Sequence, residues 1–298
     1  MSRIAYVNGR YVPLADAGVH IEDRGMQFAD AVYEVVAVVD GELADLDAHL
    51  DRLAYSLREV RIENAPGTAS LQVAMRQTVR RNRVKWGLLY LQIGRGVARR
   101  DHAFPAEGPA SVVMTCRAYD YGALAAKLRD GVAIATVPDE RWARPDIKST
   151  SLLANVLAKQ AARDKGAFEA WMVDDDGFIT EGSSTTAWIV TDGETLVTRP
   201  LSRAILPGIT RAVAEELARA DNLTVEERAF TVEEAKGAKE AFLTSTSGGP
   251  VPVVEIDGET VGNGMPGLVT GRLAALYRMH LASYSKDPAA ALKVLSGE

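Results

Sequence analysis

Residues 31–46 read AVYEVVAVVDGELADL. A valine-rich apolar run meets Asp40-Gly41, and a second short run resumes beyond it. Asp-Gly flanked by such runs signals a β-hairpin, because both turn residues must accept positive φ. The next stretch has another period: Leu46, Leu50, Leu53, Leu57 and Val60 step by four and three along one helix face. A hairpin that runs into an amphipathic helix predicts an α+β domain.

The same grammar extends outward. Toward the N-terminus, IAYVNGRYV (4–12) turns at Asn8-Gly9. Toward the C-terminus, a helix is expected around 68–82, then a central strand in GLLYLQIGRG and another in ASVVMTC. RAYDYGALAAKL interrupts this pattern before GVAIATV begins a new strand. The expected organisation is an N-terminal domain over 1–120, a linker over 121–130 and a C-terminal domain over 131–298. In the second half, residues 169–199 read as three strands turned at Asp176-Gly177 and Asp192-Gly193. LPGITRAVAEELARA opens a helix, followed by strand, helix, strand, a Ser/Thr/Gly loop and a strand. A last helix is expected over 264–283, with SKDPAAALKVLSGE fraying beyond it. The pattern is two α+β domains in tandem.

Several function classes are disfavoured. A formal net charge of −6 over 298 residues argues against general affinity for nucleic acid or an anionic membrane. No apolar run has the length of a membrane span, and MSRIAYVNGRYVPL lacks the apolar core of a secretory signal. The single cysteine, Cys116, precludes an internal disulfide and fits a reducing cytoplasm. His20, His49, His102 and His280 lack ligand spacing, so no metal site is expected. His49, beside an apolar helix stripe, reads as a packed or capping residue. Nucleophile-elbow, Walker and dinucleotide-binding motifs are absent.

Four segments could carry chemistry. In RPDIKSTSLLANVLAKQ (144–160), Lys148 precedes a helical repeat of Leu152, Leu153, Val156, Leu157 and Ala161, with Ser149, Thr150 or Ser151 as the expected cap. Positive charge at a helix start, together with desolvation, eases proton loss from an amine. The segment therefore reads either as a reactive lysine or as an ordinary surface one. TEGSSTTAW (180–188) sets Glu181 before glycine and hydroxyl residues, as a partner for a cationic ring nitrogen or as plain turn chemistry. LPGIT (206–210) offers the backbone N–H groups of Gly208, Ile209 and Thr210 at a helix start, and LTSTSGG (243–249) adds the Thr246 hydroxyl; both suit phosphate, and both suit capping. GRGVARRDHAFP (94–105) gathers Arg95, Arg99, Arg100 and His102, either to capture an anion or as a solvated basic loop. An amine able to form an imine, an acid for a pyridine nitrogen, phosphate seats and a carboxylate clamp are what pyridoxal 5′-phosphate catalysis requires.

The ordered series EDRGMQFADAVYEVV, HLDRL, GRGVARRDHAFP, DIKSTSLLANVLAKQ, TEGSS, LPGITR, TSTS and VVEIDG spans nearly the whole chain. It resembles the fold-type IV pyridoxal-phosphate enzymes of aminotransferase class IV, and within them the D-amino-acid transaminases. The resemblance implies a two-domain α+β architecture with the cofactor at the domain interface, and a homodimer in which a partner loop closes the site. It assigns Lys148 to cofactor attachment and proton transfer, and Glu181 to the pyridine nitrogen. Arg52, Ile209, Thr210 and Thr246 become phosphate contacts. Tyr33, Arg100 and His102 become the trap for the substrate carboxylate. The implied reaction is a two-stage exchange of an amino group between D-amino acids, of the D-alanine and D-glutamate type, and 2-oxo acids such as 2-oxoglutarate and pyruvate. The alternatives within the fold are a branched-chain L-amino-acid transaminase, an (R)-amine transaminase and an aminodeoxychorismate lyase. Outside catalysis, the alternative is a protein that only binds the cofactor or carboxylates.

Overall fold

The computed structural model describes residues 3–297. The chain forms two units: Met1–Tyr119 with Ile147–Ser151 and Tyr284–Lys286, and Asp120–Asp146 with Leu152–Ser283 and Asp287–Glu298.

The first unit contains β1 (Ile4–Val7), β2 (Arg10–Pro13), α1 (Arg24–Phe28), β3 (Ala31–Val39), β4 (Glu42–Leu43), α2 (Leu46–Glu59), α3 (Thr68–Asn82), β5 (Gly87–Gly94) and β6 (Ser111–Ala118). Its strands form a six-stranded sheet ordered β2-β1-β6-β5-β3-β4. Both expected turns occur: Asn8 and Gly9 have φ of 47° and 87°, and Asp40 and Gly41 of 49° and 86°. β5 is central, antiparallel to β3 on one side and to β6 on the other. Alternation along β3 sends Val32, Glu34, Val36 and Val38 to one face and Tyr33 to the other. Val32, Val36 and Val38 join Leu50 and Leu53 of α2 and Met75 and Val79 of α3 in one buried cluster. Burying each such side chain contributes about 1.5–3 kcal/mol.

The second unit contains α4 (Tyr121–Asp130), β7 (Val132–Pro138), α5 (Leu153–Asp164), β8 (Glu169–Val173), β9 (Ile179–Gly182), β10 (Thr186–Val190), β11 (Leu196–Thr198), α6 (Ile209–Ala220), β12 (Val225–Glu227), α7 (Val232–Lys236), β13 (Glu240–Ser245), β14 (Gly249–Ile256), β15 (Glu259–Thr260), α8 (Leu268–Ala282) and α9 (Pro288–Leu295). A nine-stranded sheet runs β12-β11-β10-β13-β14-β7-β8-β9, with β15 paired to β14.

Four local expectations are corrected. Residues 121–130, read as a linker, form α4, capped by the Asp120 side chain accepting from Ala123 N. Residues 169–199 hold four strands rather than three, because the chain turns sharply between β9 and β10, where Gly182 N donates to Thr185 O. The terminal stretch expected to fray holds a packed helix: Asp287 accepts from Ala290 N, and Ala291 and Leu295 of α9 are buried. The helix after Lys148 starts at Leu153 and takes no side-chain cap. Its large apolar residues also face outward. Leu153, Val156 and Leu157 are exposed, while Ala158 and Ala162 pack with Ala170 and Met172 of β8.

Candidate active site

Of the hydroxyls expected to cap α5, that of Thr150 is committed to Ala29 O and Ala31 O, and that of Ser149 accepts from Ser151 N outside the helix. Residues 147–151 lie beside β3: Tyr33 N donates to Lys148 O at 2.9 Å, Thr150 N to Ala31 O at 2.9 Å, and Val32 bridges Ser149. Lys148 N donates to Ser56 Oγ at 3.2 Å, and Thr150 Oγ1 donates to Ala29 O and Ala31 O. Ile147 anchors the segment in the core of the first unit. The result is a rigid backbone under Lys148, whose Nζ lies 4.4 Å from the centroid of the Tyr33 ring. That contact holds a half-buried ammonium against the Tyr33 phenol ring. Tyr90 stands on the same sheet face as Tyr33, with the rings 5.7 Å apart and its hydroxyl donating to Gln92 Oε1 at 2.7 Å. Burial, aided by Tyr33, pushes the Tyr90 phenol up to about 12, so it stays protonated.

On the covered face of the sheet, Arg52 is buried among the leucines of α2. Its Nε donates to Glu34 Oε1 at 2.8 Å and its Nη2 to Oε2 at 2.7 Å, and His49 Nδ1 lies 2.7 Å from Oε2. Burial alone would raise the Glu34 carboxyl. The Arg52 charge and the hydrogen bonds from Arg52 and His49 outweigh it and hold the group at about 2. His49 is thus a packed residue, as its position suggested. Arg52 comes pre-aimed by an ion pair that no local motif revealed.

Arg100 and His102 lie on the exposed loop between β5 and β6. Their neighbour Arg95 does not join them as an anion ligand. It is buried and forks onto Asp30, with Nε at 2.7 Å from Oδ2 and Nη2 at 2.9 Å from Oδ1.

In the second unit Glu181 lies one residue before the end of β9 and is buried. One of its oxygens, Oε1, accepts from Leu206 N at 3.1 Å and from Arg141 Nη1. Arg141 is the functional candidate missed in the sequence. It also forks onto Asp139 at 2.9 and 2.7 Å, and Thr180 Oγ1 donates to the same carboxylate at 2.7 Å. Burial works against the Arg141 charge, but Asp139 and Glu181 raise its pKa; burial works against Asp139 too, and Arg141 holds that carboxyl low. The sequence signal was an Asp-x-Arg after a strand, too common to single out.

Ile209 and Thr210 open α6 behind an extended Gly208, with Thr210 buried. The first N–H groups of a helix have no partner within it and suit an anion. A Cβ on Gly208 would stand 3.0 Å from Thr186 Oγ1, so the helix start is held close to β10. Thr186 faces Thr244 across the β10–β13 ladder, and Thr246 follows in the next turn. The first unit therefore carries Tyr33, Arg52, Arg100, His102 and Lys148, and the second carries Glu181, Ile209, Thr210 and Thr246. An amine, a buried carboxylate, an arginine and a helix start with hydroxyls are a donor set suited to a phosphorylated pyridine aldehyde.

The α+β fold and the residue types that each unit carries are those of a class of pyridoxal-phosphate enzyme. The sequence pattern of the amino-transferase class IV family matches residues 31–256, and the chain belongs to that family. It is 39% identical over 263 residues to the D-alanine aminotransferase of Bacillus licheniformis, covering 88% of this chain and 92% of the relative. The branched-chain amino acid aminotransferase of Escherichia coli superposes with a TM-score of 0.83 at 26% identity, covering 93% of this chain and 94% of the other. The branched-chain aminotransferase of the thermophilic archaeon Thermoproteus uzoniensis, solved with norvaline, superposes with a TM-score of 0.80 at 28% identity, covering 94% of this chain and 95% of the other. The reaction of the family is pyridoxal-phosphate-dependent transamination. No helix among the described residues is long and apolar enough to cross a membrane.

Proposed function

We propose that this protein exchanges the amino group between D-amino acids, such as D-alanine and D-glutamate, and 2-oxo acids, such as 2-oxoglutarate and pyruvate. The observation that carries the reading is the pairing of Lys148 Nζ with the Tyr33 ring, 4.4 Å apart. It sets a proton-transfer amine beside a phenol assigned to the substrate carboxylate. The relative at 39% identity, named for D-alanine, supports the choice of D over L.

Pyridoxal 5′-phosphate, when bound, supplies an electron sink for the substrate carbon that loses its proton. Lys148 Nζ is the amine that would hold the cofactor and, when free, would take the proton from the α-carbon. Glu181 would pair with the pyridine nitrogen, and Arg141 with Leu206 N keeps that carboxylate in place. Arg52, Ile209, Thr210 and Thr246 would hold the phosphate. Tyr33, Arg100 and His102 bind the substrate carboxylate, which decides the face of the α-carbon that meets Lys148. The reading includes a homodimer acting in the cytoplasm; the exposed Leu153, Val156 and Leu157 of α5 support self-association.

The test is the visible spectrum of the cofactor-loaded protein before and after D-alanine and, separately, L-leucine. Loss of the visible band with D-alanine alone is expected. Loss with L-leucine alone would transfer the protein to the branched-chain transaminases and remove the assigned carboxylate trap.

A further inference from the structure

The loop between β5 and β6 is exposed, but its frame is not loose. At Gly96, with φ of +105°, a Cβ would come within 2.1 Å of Pro109 O, so the two ends of the loop meet backbone to backbone. The segment before α1 runs alongside: Arg24 N donates to Gly96 O at 2.9 Å, Asp23 bridges Val97, and Ala98 N donates to Glu22 O at 3.3 Å. Arg95 Cζ lies 3.6 Å from the Phe104 ring centroid, which fastens the far side.

Two residues of α1 then reach the part of the loop that carries Arg100 and His102. Arg24 is 3% exposed. Its Nη1 donates to Asp101 O at 2.6 Å and Ala103 O at 3.3 Å, its Nη2 to His102 O at 3.5 Å, and its Nε to Asp30 Oδ2 at 2.8 Å. The guanidinium thus holds consecutive carbonyls of the loop while anchored to a carboxylate that Arg95 also binds. Phe28 supplies a surface for the side chains. Its ring centroid is 5.1 Å from Arg100 Cζ and 5.4 Å from the His102 ring, with Arg24 Cζ at 4.8 Å. An exposed arginine otherwise samples many rotamers, and binding must arrest them.

We propose that Arg24 and Phe28 are positioning residues for carboxylate recognition: Arg24 sets the backbone at 101–103, and Phe28 sets the direction of the Arg100 guanidinium and the His102 imidazole. This rests on the reading above that Arg100 and His102 receive the substrate carboxylate. A role confined to holding the loop together would change stability, or affect all ligands alike. Positioning predicts a selective loss for carboxylates.

The experiment compares Phe28→Leu, Phe28→Tyr, Arg24→Gln and Arg100→Ala in the cofactor-loaded enzyme. It measures kcat and KM for the amino acid that the unmutated enzyme turns over, inhibition by propionate, and tryptic cleavage after Arg99 and Arg100. Phe28→Leu is expected to raise KM and the propionate inhibition constant about two- to fivefold with kcat nearly unchanged, as loss of an exposed cation–π contact allows. Phe28→Tyr restores both. Arg24→Gln adds faster tryptic cleavage of the loop, which Phe28→Leu does not. If Arg100→Ala weakens propionate and Phe28→Leu does not, the positioning role is overturned and the recognition role stands. If Arg100→Ala leaves propionate inhibition unchanged, the recognition reading fails and takes the positioning role with it.

Discussion

Arg141 Nη1 donates to Oε1 of Glu181 while the other edge of the same guanidinium forks onto Asp139. One largely covered cation therefore compensates a buried carboxylate, Glu181, and a half-buried one, Asp139. Removing it would leave both charges in a poorly solvated place, and breaking a buried ion pair costs about 3–5 kcal/mol. Arg141→Met is expected to lower stability by about that amount and to weaken cofactor binding about tenfold or more, since Glu181 loses the donor that orients it. Arg141→Lys should recover part of the stability and less of the affinity, because an ammonium lacks the planar fork. Thermal unfolding and a spectral titration with pyridoxal 5′-phosphate measure the two effects. An unchanged midpoint and affinity would show that Arg141 is a bystander.

Lys148→Ala is expected to reduce transamination by about 10²- to 10⁴-fold or more, the range over which a positioned proton-transfer group acts. The variant should fold, because the backbone of 147–151 is held through Tyr33 N, Ala31 O and Ser56 Oγ rather than through the lysine side chain. Circular dichroism establishes the fold, and D-alanine turnover tests the role. Turnover at the wild-type rate by a folded, cofactor-loaded variant would refute it.

Glu34 makes stability depend on acid. Its folded-state carboxyl is lowered from the ordinary 4.5 to about 2, against burial, by Arg52 and His49. A lowered carboxyl contributes stability that is fully present above pH 4.5 and is lost as pH falls toward 2. Glu34→Gln should cost roughly 3 kcal/mol near neutrality. The gap between wild type and variant should then narrow as pH drops through that window. Denaturant midpoints at a series of pH values provide the check, and a gap constant with pH would show that the ion pair contributes nothing through ionisation.

Cys116 lies in the core of the first unit, and burial pushes its thiol up to about 12 against a weaker opposing contact with the Arg117 backbone. The thiolate is the reactive form. The native protein should therefore resist a disulfide reagent at pH 8 and react fully only in denaturant. Rapid labelling without denaturant would contradict the buried placement.

How much was legible in the sequence follows from the range of the interactions. Asn8-Gly9 and Asp40-Gly41 announced their hairpins because positive φ is a local preference of those residue pairs. The leucine spacing of α2 marked its buried face for the same reason. The cap of α5 was not legible. Ser149 and Thr150 look like capping residues, yet β3 occupies the Thr150 hydroxyl and bridges Ser149. Likewise, the apolar stripe of α5 predicted a helix but not its orientation, since alanines rather than leucines fit against β8.

The site divides along the same line. The residues that the proposed chemistry calls on, Lys148, Glu181, Arg52, Thr210 and the basic loop with Arg100 and His102, could be singled out in the sequence, because ordered motifs are chemical requirements written in one dimension. Their partners could not. Glu34 meets Arg52, Arg141 meets Glu181, and Phe28 meets Arg100 and His102 across separations that no periodicity encodes. The sequence alone determined the α+β class, the hairpin turns and the chemical repertoire, through short-range backbone preferences and residue identity. Tertiary structure alone decided which charges are compensated, which ring Lys148 meets and what holds the loop of Arg100 and His102. Those outcomes depend on burial and on distances set only when the sheets and helices pack.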